Sequence, residues 1–173
     1  MQPVEPGSFK GKRSVVMPRY ALLADVPKVA AIYHSVWHET QAPFMPPEEC
    51  KLRTLLFFEE RMSAVLATTL VAERAGSIVG FASWRDHLLS QFYVSTAHRG
   101  SGLAAELVTA CEIEMARSGT KVAELHCIVG NDRARRFYER MSWQHAGEIQ
   151  KQVSGSHGLV GVAFWRMTKQ LTP

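Results

Sequence analysis

Residues 93–108 read YVSTAHRGSGLAAELV, and the parsing of this stretch decides the fold. Tyr93-Val94 closes a run of strand formers that begins at Leu88, and Ser95 to Arg99 make a polar turn. Gly100 and Gly102 follow. From Leu103 the apolar positions Leu103, Leu107, Ala110, Cys111 and Met115 recur at helical spacing. A strand, a glycine turn and a helix in that order present the unpaired N–H groups of a first helical turn, with the positive end of the helix dipole, to an anion. Gly100, Gly102 and Ala104 keep the approach free of bulky side chains, and Arg99 adds a cation.

Two phosphate-binding patterns compete for this turn. Gly100-x-Gly102-x-x-Ala105 fits the dinucleotide fingerprint, which requires its glycines tight against the strand and a long succession of strand–helix–strand units after it. Here Ser95 to Arg99 intervene, and Glu124 lies inside the next strand instead of at its end. A P-loop is excluded because no Gly-Lys-Ser/Thr follows. The spacing Arg99-x-x-Gly102-x-Ala104, astride a helix start, suits a pyrophosphate held on backbone amides.

Around this turn the chain reads as one domain. It has 173 residues, 46% of them hydrophobic, which suits a single globular core. The net charge of +4 favours anionic ligands mildly, and no nucleic-acid partner is expected. Cys50, Cys111 and Cys127 are odd in number and form no CxxC pair, so neither a disulfide framework nor structural zinc is indicated, and Cys127 reads as a small core residue. With no signal-peptide pattern and no run near the ~20 apolar residues of a membrane span, the expectation is a cytoplasmic protein without membrane association. Residues 1–13, rich in Pro, Gly and Lys, are expected to be a flexible tail before a single domain over 14–173.

The order of elements follows from periodicity and punctuation. A strand is predicted over Met17 to Leu22, then Asp25 as N-cap, with Pro27 in the first turn of a helix ending near Thr40. QAPFMPP breaks the chain before a second helix from Glu48 to Arg61. A hairpin turns at Ala75-Gly76, and LLSQFYV leads into the glycine turn. After the helix that Gly119 ends, KVAELHCIV is a buried strand. Gly130-Asn131 opens another helix, in which Ala134, Phe137, Tyr138 and Met141 share a face. Two strands, Trp143 to Val153 and Leu159 to Thr168, finish the chain. The order βααβββαβαββ gives a mixed α/β (α+β) class with parallel and antiparallel parts in one sheet.

YVSTAHRGSGLAAELV resembles the acyl-CoA-binding motif of the GNAT superfamily of N-acetyltransferases. ELHCIVGNDRARRFYERMSW is similar to that family's next strand and helix, LVAERAGSIVGFASW to its central hairpin, and PRYALLADVPKVAAIY to its N-terminal strand and helix. The resemblance covers about residues 17 to 168. Two positions depart from it. Ser142-Trp143 stands where the family often has Gly-Phe, and Gln91 stands where a Glu or other base is frequent.

The resemblance implies a twisted sheet splayed between FYV and LHCIV, with acetyl-CoA as acyl donor and no metal. It implies that Phe92, Tyr93 and Val94 hold the pantetheine arm, that Arg99, Gly100, Ser101, Gly102, Leu103 and Ala104 hold the pyrophosphate, and that Asn131, Ala134 and Phe137 complete the donor site. Asn131 is equally a plain helix cap. Tyr138 is the implied acid for the leaving thiolate, or else a core aromatic. For the base, His126 is the leading candidate, beside Asp86, His87 and Glu39; a core histidine is the alternative. Tyr33, Trp37, His38 and Phe44 are expected to border the acceptor, a small-molecule or peptide amine, unless the aromatics are simply core. His34 and His38 are spaced for zinc but lack a third ligand. Arg133, Arg135, Arg136 and Arg140 crowd the last helix, mostly as a solvated face, and one or two of them are expected to meet the coenzyme A 3′-phosphate, with Arg135→Ala and Arg136→Ala as the test. A non-catalytic acyl-CoA sensor or interaction module of the same fold is the competing reading, and the resemblance leaves a homodimer open.

Overall fold

The computed structural model describes residues 17–172; the tail expected over 1–13 lies outside the described residues. Strand β1 (Arg19–Tyr20) is followed by α1 (Val26–Thr40), α2 (Pro47–Leu52) and α3 (Leu55–Ala64). Then come β2 (Thr69–Arg74), β3 (Ser77–Arg85), β4 (Leu88–Val94), α4 (Leu103–Arg117), β5 (Val122–Ile128), α5 (Asp132–Arg140), β6 (Gln144–Gly155) and β7 (Gly158–Gln170). Among the described residues, seven strands form one sheet in the order β1-β2-β3-β4-β5-β7-β6, and only β4 and β5 pair in parallel.

Two local expectations are corrected. The single helix over Glu48 to Arg61 is two helices, because Arg53 leaves the helical region and Thr54 caps a new start, its Oγ1 accepting the Phe57 N–H at 3.2 Å. A threonine hydroxyl that bonds to nearby backbone favours such a break. Asp25 does not cap α1 through its side chain. Its carboxylate turns back to accept the Leu22 N–H and the Arg19 guanidinium, both at 2.7 Å. The element order therefore becomes βαααβββαβαββ.

Both faces of the sheet are covered. Leu103, Leu107, Val108, Cys111 and Met115 of α4 pack with Leu70, Ala72, Val79 and Ala82 on one face. On the other, Val29, Tyr33 and Trp37 of α1 and Phe58 and Met62 of α3 pack with Val71, Phe81 and Tyr93. Strand β3 feeds both layers by alternation, which is why its sequence reads as a continuous apolar run. The buried Glu112 of α4 is fully partnered: Trp143 Nε1 donates to it at 2.8 Å and Lys169 Nζ at 2.6 Å.

One irregularity shapes the site. In the β3–β4 ladder Leu89 lies opposite Trp84 and Gln91 opposite Ser83, so Ser90 is an extra residue. The bulge reverses the facing of side chains along β4. Leu89 and, past the bulge, Phe92 both pack on the α4 side, while Tyr93 packs on the α1 side. The parallel ladder with β5 holds only at Leu88 opposite Glu124 and Leu89 opposite Leu125. Beyond Leu89 the two strands part.

Candidate active site

The parting of β4 and β5 opens a cleft of about 300 Å³. Its inner wall is apolar, from Phe92, Val94, Cys127, Ala134, Phe137 and Tyr138. Arg99, Gly100, Gly102 and Ala104 form one end, beside Asn131. Tyr93 and His126 also reach it. The sequence-predicted donor residues thus come together here, apart from two side chains. Leu103 is wholly buried in the core, and the Ser101 hydroxyl donates to the His98 carbonyl at 2.7 Å.

At the glycine end, Gly100 and Gly102 have φ of +73° and +86°, and a Cβ at either would meet nothing within 4 Å. The glycines are therefore required by backbone conformation, and the space before the first turn of α4 is open. Arg99 is ion-paired to Glu39 at the end of α1, and Thr96 Oγ1 donates to the same carboxylate at 3.1 Å. The hydrogen bond from Arg99 holds the Glu39 carboxyl below its usual range. His98 Nδ1 is buried without a hydrogen-bond partner on the cleft wall. An open amide cradle, a cation and an orphaned ring nitrogen fit a pyrophosphate-bearing ligand. Asn131 caps α5, with its Oδ1 accepting the Ala134 N–H at 3.2 Å, and lines the cleft as well.

Tyr138 stands on the floor among Phe92, Phe137 and Trp143. Its ring is a core ring, but its hydroxyl makes no hydrogen bond among the described residues. Burial pushes the phenol well above its ordinary pKa, so the proton stays on the oxygen. Burial likewise pushes the neighbouring Cys127 thiol up to about 12, which keeps it protonated and unsuited to nucleophilic work.

His126 alternates out of the Leu125/Cys127 layer, as its parity predicts, onto the face that carries α1 and α3. Its Nε2 lies 2.8 Å from Glu124, whose other oxygen accepts from Arg166 Nε at 2.7 Å. Burial lowers the His126 pKa, and Glu124 opposes that shift only in part. For Glu124, burial acts upward, but the hydrogen bonds from His126 and Arg166 prevail and the net shift is down. The other base candidates are engaged or remote from the cleft. Glu39 holds Arg99, and Asp86, with φ of +51°, and His87 form the exposed β3–β4 turn. Gln91 is buried; with its amide oxygen towards Arg61, every polar atom is satisfied by Arg61, Ser83 and Ser90.

The residues expected at the acceptor separate. Tyr33 and Trp37 are buried core, Tyr33 lying 4.3 Å from Phe58 and 4.4 Å from Tyr93 between ring centroids. His38 Nε2 donates to the Arg53 carbonyl at 2.9 Å, and so is not free to bind a metal through that atom. Among the described residues no group of three potential metal ligands is assembled. Phe44 is exposed and packs on Gly130, where a Cβ would lie 2.4 Å from its ring. Arg135 is occupied by Glu139 at 2.9 Å and by the Trp165 ring at 4.6 Å; Arg133 and Arg140, not Arg135 or Arg136, line the cleft. Sequence reasoning named all four arginines without singling out these two, and missed His98, Thr40 and Gln41. Gln41, at the end of α1, donates to the Tyr93 hydroxyl on β4, a pairing that local pattern does not announce.

No helix of the described residues is long and apolar enough to cross a membrane. No curated protein sequence matches the chain significantly. Solved structures do. A GCN5-related N-acetyltransferase from Rhodopseudomonas palustris is 23% identical over 91% of this chain and 97% of its own, with a TM-score of 0.74. The yncA protein of Salmonella typhimurium, solved with its cofactor acetyl-CoA, is 24% identical over 92% and 96%, with a TM-score of 0.66. A ribosomal-protein-alanine N-acetyltransferase from Brucella melitensis is 22% identical over 90% and 99%, also at 0.66. At these identities the likeness establishes the fold. The family model of the acetyltransferase (GNAT) family matches residues 30–143, which include most of α1, the bulged strand, the glycine turn and α5. With the sheet splayed beyond Leu89 and the glycine cradle at the mouth of the splay, the chain belongs to the GNAT acetyltransferase family.

Proposed function

We propose that the protein transfers an acetyl group from acetyl-CoA to a primary amine of a small molecule or peptide, by direct attack within a ternary complex. The observation that carries this reading is the Tyr138 hydroxyl. It stands in a buried wall of the cleft with its proton held by burial and with no partner among the described residues.

Acetyl-CoA, when bound, supplies the thioester carbonyl. Phe92, Tyr93, Val94, Ala134 and Phe137 flank the pantetheine arm, and Asn131 presents its amide to it. The pyrophosphate lies on the backbone from Arg99 to Ala104, with Ser101 and Leu103 contributing amides and not side chains. Tyr138 gives its proton to the departing sulfur.

An alkylammonium with a pKa near ~10.4 is only about one part in 2,500 free amine at pH 7, a cost of roughly 4 to 5 kcal/mol that a base offsets. His126 takes that proton. It is held by Glu124, and its depressed pKa keeps it neutral. Phe44 and His38 border the acceptor entrance. The test is thiol release from acetyl-CoA across a panel of amino acids, polyamines, aminoglycosides and peptide N-termini, with the acetylated amine identified by mass spectrometry. Acetyl-CoA binding without amine-dependent thiol release would leave only a binding protein of this fold.

A further inference from the structure

The sheet face that carries His126 also carries a half-buried cation, Lys151, without a counter-charge among the described residues. Strand pairing sets Lys151 opposite Val162, Ile149 opposite Phe164 and His126 opposite Arg166, so alternation puts Lys151, Phe164, Arg166 and His126 on one face. Arg166 has its counter-charge in Glu124, and Arg53 has its own in the buried Glu49. Lys151 has none: among the described residues no carboxylate lies within ion-pair distance, and its Nζ sits over the Phe164 ring at 4.5 Å. Arg61 repels its charge, and Lys151 in turn disfavours a charge on His126.

Arg61 on α3 is solvent-exposed and also lacks an ion pair among the described residues. It donates to the neutral Gln91 amide, and the carboxylate of Glu60, on the wall of the same recess, forms no ion pair with it. That recess, about 420 Å³ between α3 and β4, shares Ser90 with the donor cleft. A half-buried ammonium without an anion carries a desolvation cost that a ligand's acidic group would offset, and the exposed Arg61 guanidinium adds a second positive charge beside it. Burial and Arg61 together lower the Lys151 pKa.

We infer that the acceptor is a small zwitterionic amine, whose acidic group (carboxylate, phosphonate or phosphate) is bound by Lys151 and Arg61 while its amine is presented to His126. This names the acceptor class for the reaction proposed above and rests on that reading. A polycation would meet repulsion at the same place.

The test pairs each proteinogenic α-amino acid with its carboxamide, adds aminoalkylphosphonates, and measures acetyl-CoA-dependent turnover. The carboxamides have the more readily deprotonated amines, so a preference for acids would run against intrinsic reactivity. The expected result is that an acid exceeds its carboxamide at least about tenfold in kcat/KM, and that Lys151→Met removes about tenfold of that ratio through KM. Arg61→Gln gives the same test should Lys151→Met fold poorly. The phosphonate arm distinguishes the acidic groups. Equal use of acids and carboxamides, better use of polyamines or of peptide N-termini, or an equal loss on both members of a pair in Lys151→Met would overturn the inference.

If acetyl-CoA binds but no amine is acetylated, the acetyltransferase reading fails separately. Calorimetric titration of the same pairs into the CoA-saturated protein then decides the anion site. Binding of acids alone, lost in Lys151→Met, upholds it, and no acid-dependent binding overturns it.

Discussion

Glu124 accepts from His126 Nε2 at 2.8 Å with one carboxylate oxygen and from Arg166 Nε at 2.7 Å with the other. A carboxylate can only accept, so the imidazole proton lies on Nε2. Desolvation disfavours the charged ring, so its pKa falls below the ordinary value and Nδ1 keeps a lone pair at neutral pH.

This arrangement fixes the direction of a pH profile. A base with a lowered pKa stays competent to lower pH, so the acidic limb of kcat/KM should fall below the ordinary histidine value of about 6.5. His126→Gln should remove that limb and lower kcat by about a hundredfold. Glu124→Gln removes an influence that raises the His126 pKa, so the limb should move to lower pH still, with a loss in kcat from the unanchored ring. An acidic limb that persists in His126→Gln would give the base role to another group or to water.

Tyr138→Phe separates chemistry from packing. The hydroxyl makes no hydrogen bond among the described residues, while the ring packs in the core. Removing the oxygen should leave thermal stability nearly unchanged and acetyl-CoA affinity within about twofold, yet lower kcat by about a hundredfold. Single-turnover kinetics with saturating donor would report the chemical step itself. An unaltered single-turnover rate would make Tyr138 a core aromatic only.

These two residues show what was legible in the sequence. The splay of the sheet was expected only from the resemblance to the family; the glycine cradle and the floor helix could be read because each is local: periodicity, a glycine pair and a cap lie within about fifteen residues of chain. The acceptor side could not. Lys151, Arg61 and Gln91 meet only because a bulge at Ser90 turns β4 over and because β6 folds back along β7. Tyr33 and Trp37 failed as acceptor residues for a related reason. Helical spacing identified their common face but not what covers it, which is Phe58, Phe81 and Tyr93.

The Arg99–Glu39 ion pair spans the entrance to the pyrophosphate cradle, and Arg133 is close enough to act on Glu39 as well. A bound pyrophosphate would compete with Glu39 for Arg99. Arg99→Ala should therefore weaken coenzyme A binding about tenfold, with the deficit shrinking as salt rises. Glu39→Gln should tighten binding by less, since it frees Arg99 but also loosens it. Arg133→Ala should cost more affinity than Arg135→Ala, because Arg135 is committed to Glu139 and Trp165. Calorimetry with coenzyme A at two salt concentrations measures all four, and equal losses in the two α5 variants would contradict this assignment.

Ser142 is where the chain departs from the family's glycine, yet its backbone keeps a glycine's conformation, with φ of +67°. The turn is locked by its hydrogen bonds: the Ser142 N–H donates to the Glu139 carbonyl and the Trp143 N–H to the Tyr138 carbonyl, both at 3.0 Å. It thereby swings Trp143 onto the Tyr138 ring, with centroids 6.2 Å apart. A left-handed residue with a Cβ costs roughly 1 to 2 kcal/mol, and the greater freedom of glycine in the unfolded chain returns part of that on substitution. Ser142→Gly should then raise stability by up to about 1 kcal/mol, or roughly 2 to 4 °C in Tm for a domain of this size. Ser142→Ala keeps the Cβ and should gain nothing. Urea unfolding of the two variants beside the parent tests this. If Ser142→Gly is no more stable than Ser142→Ala, the turn is relaxed with serine, and the departure from glycine carries no strain.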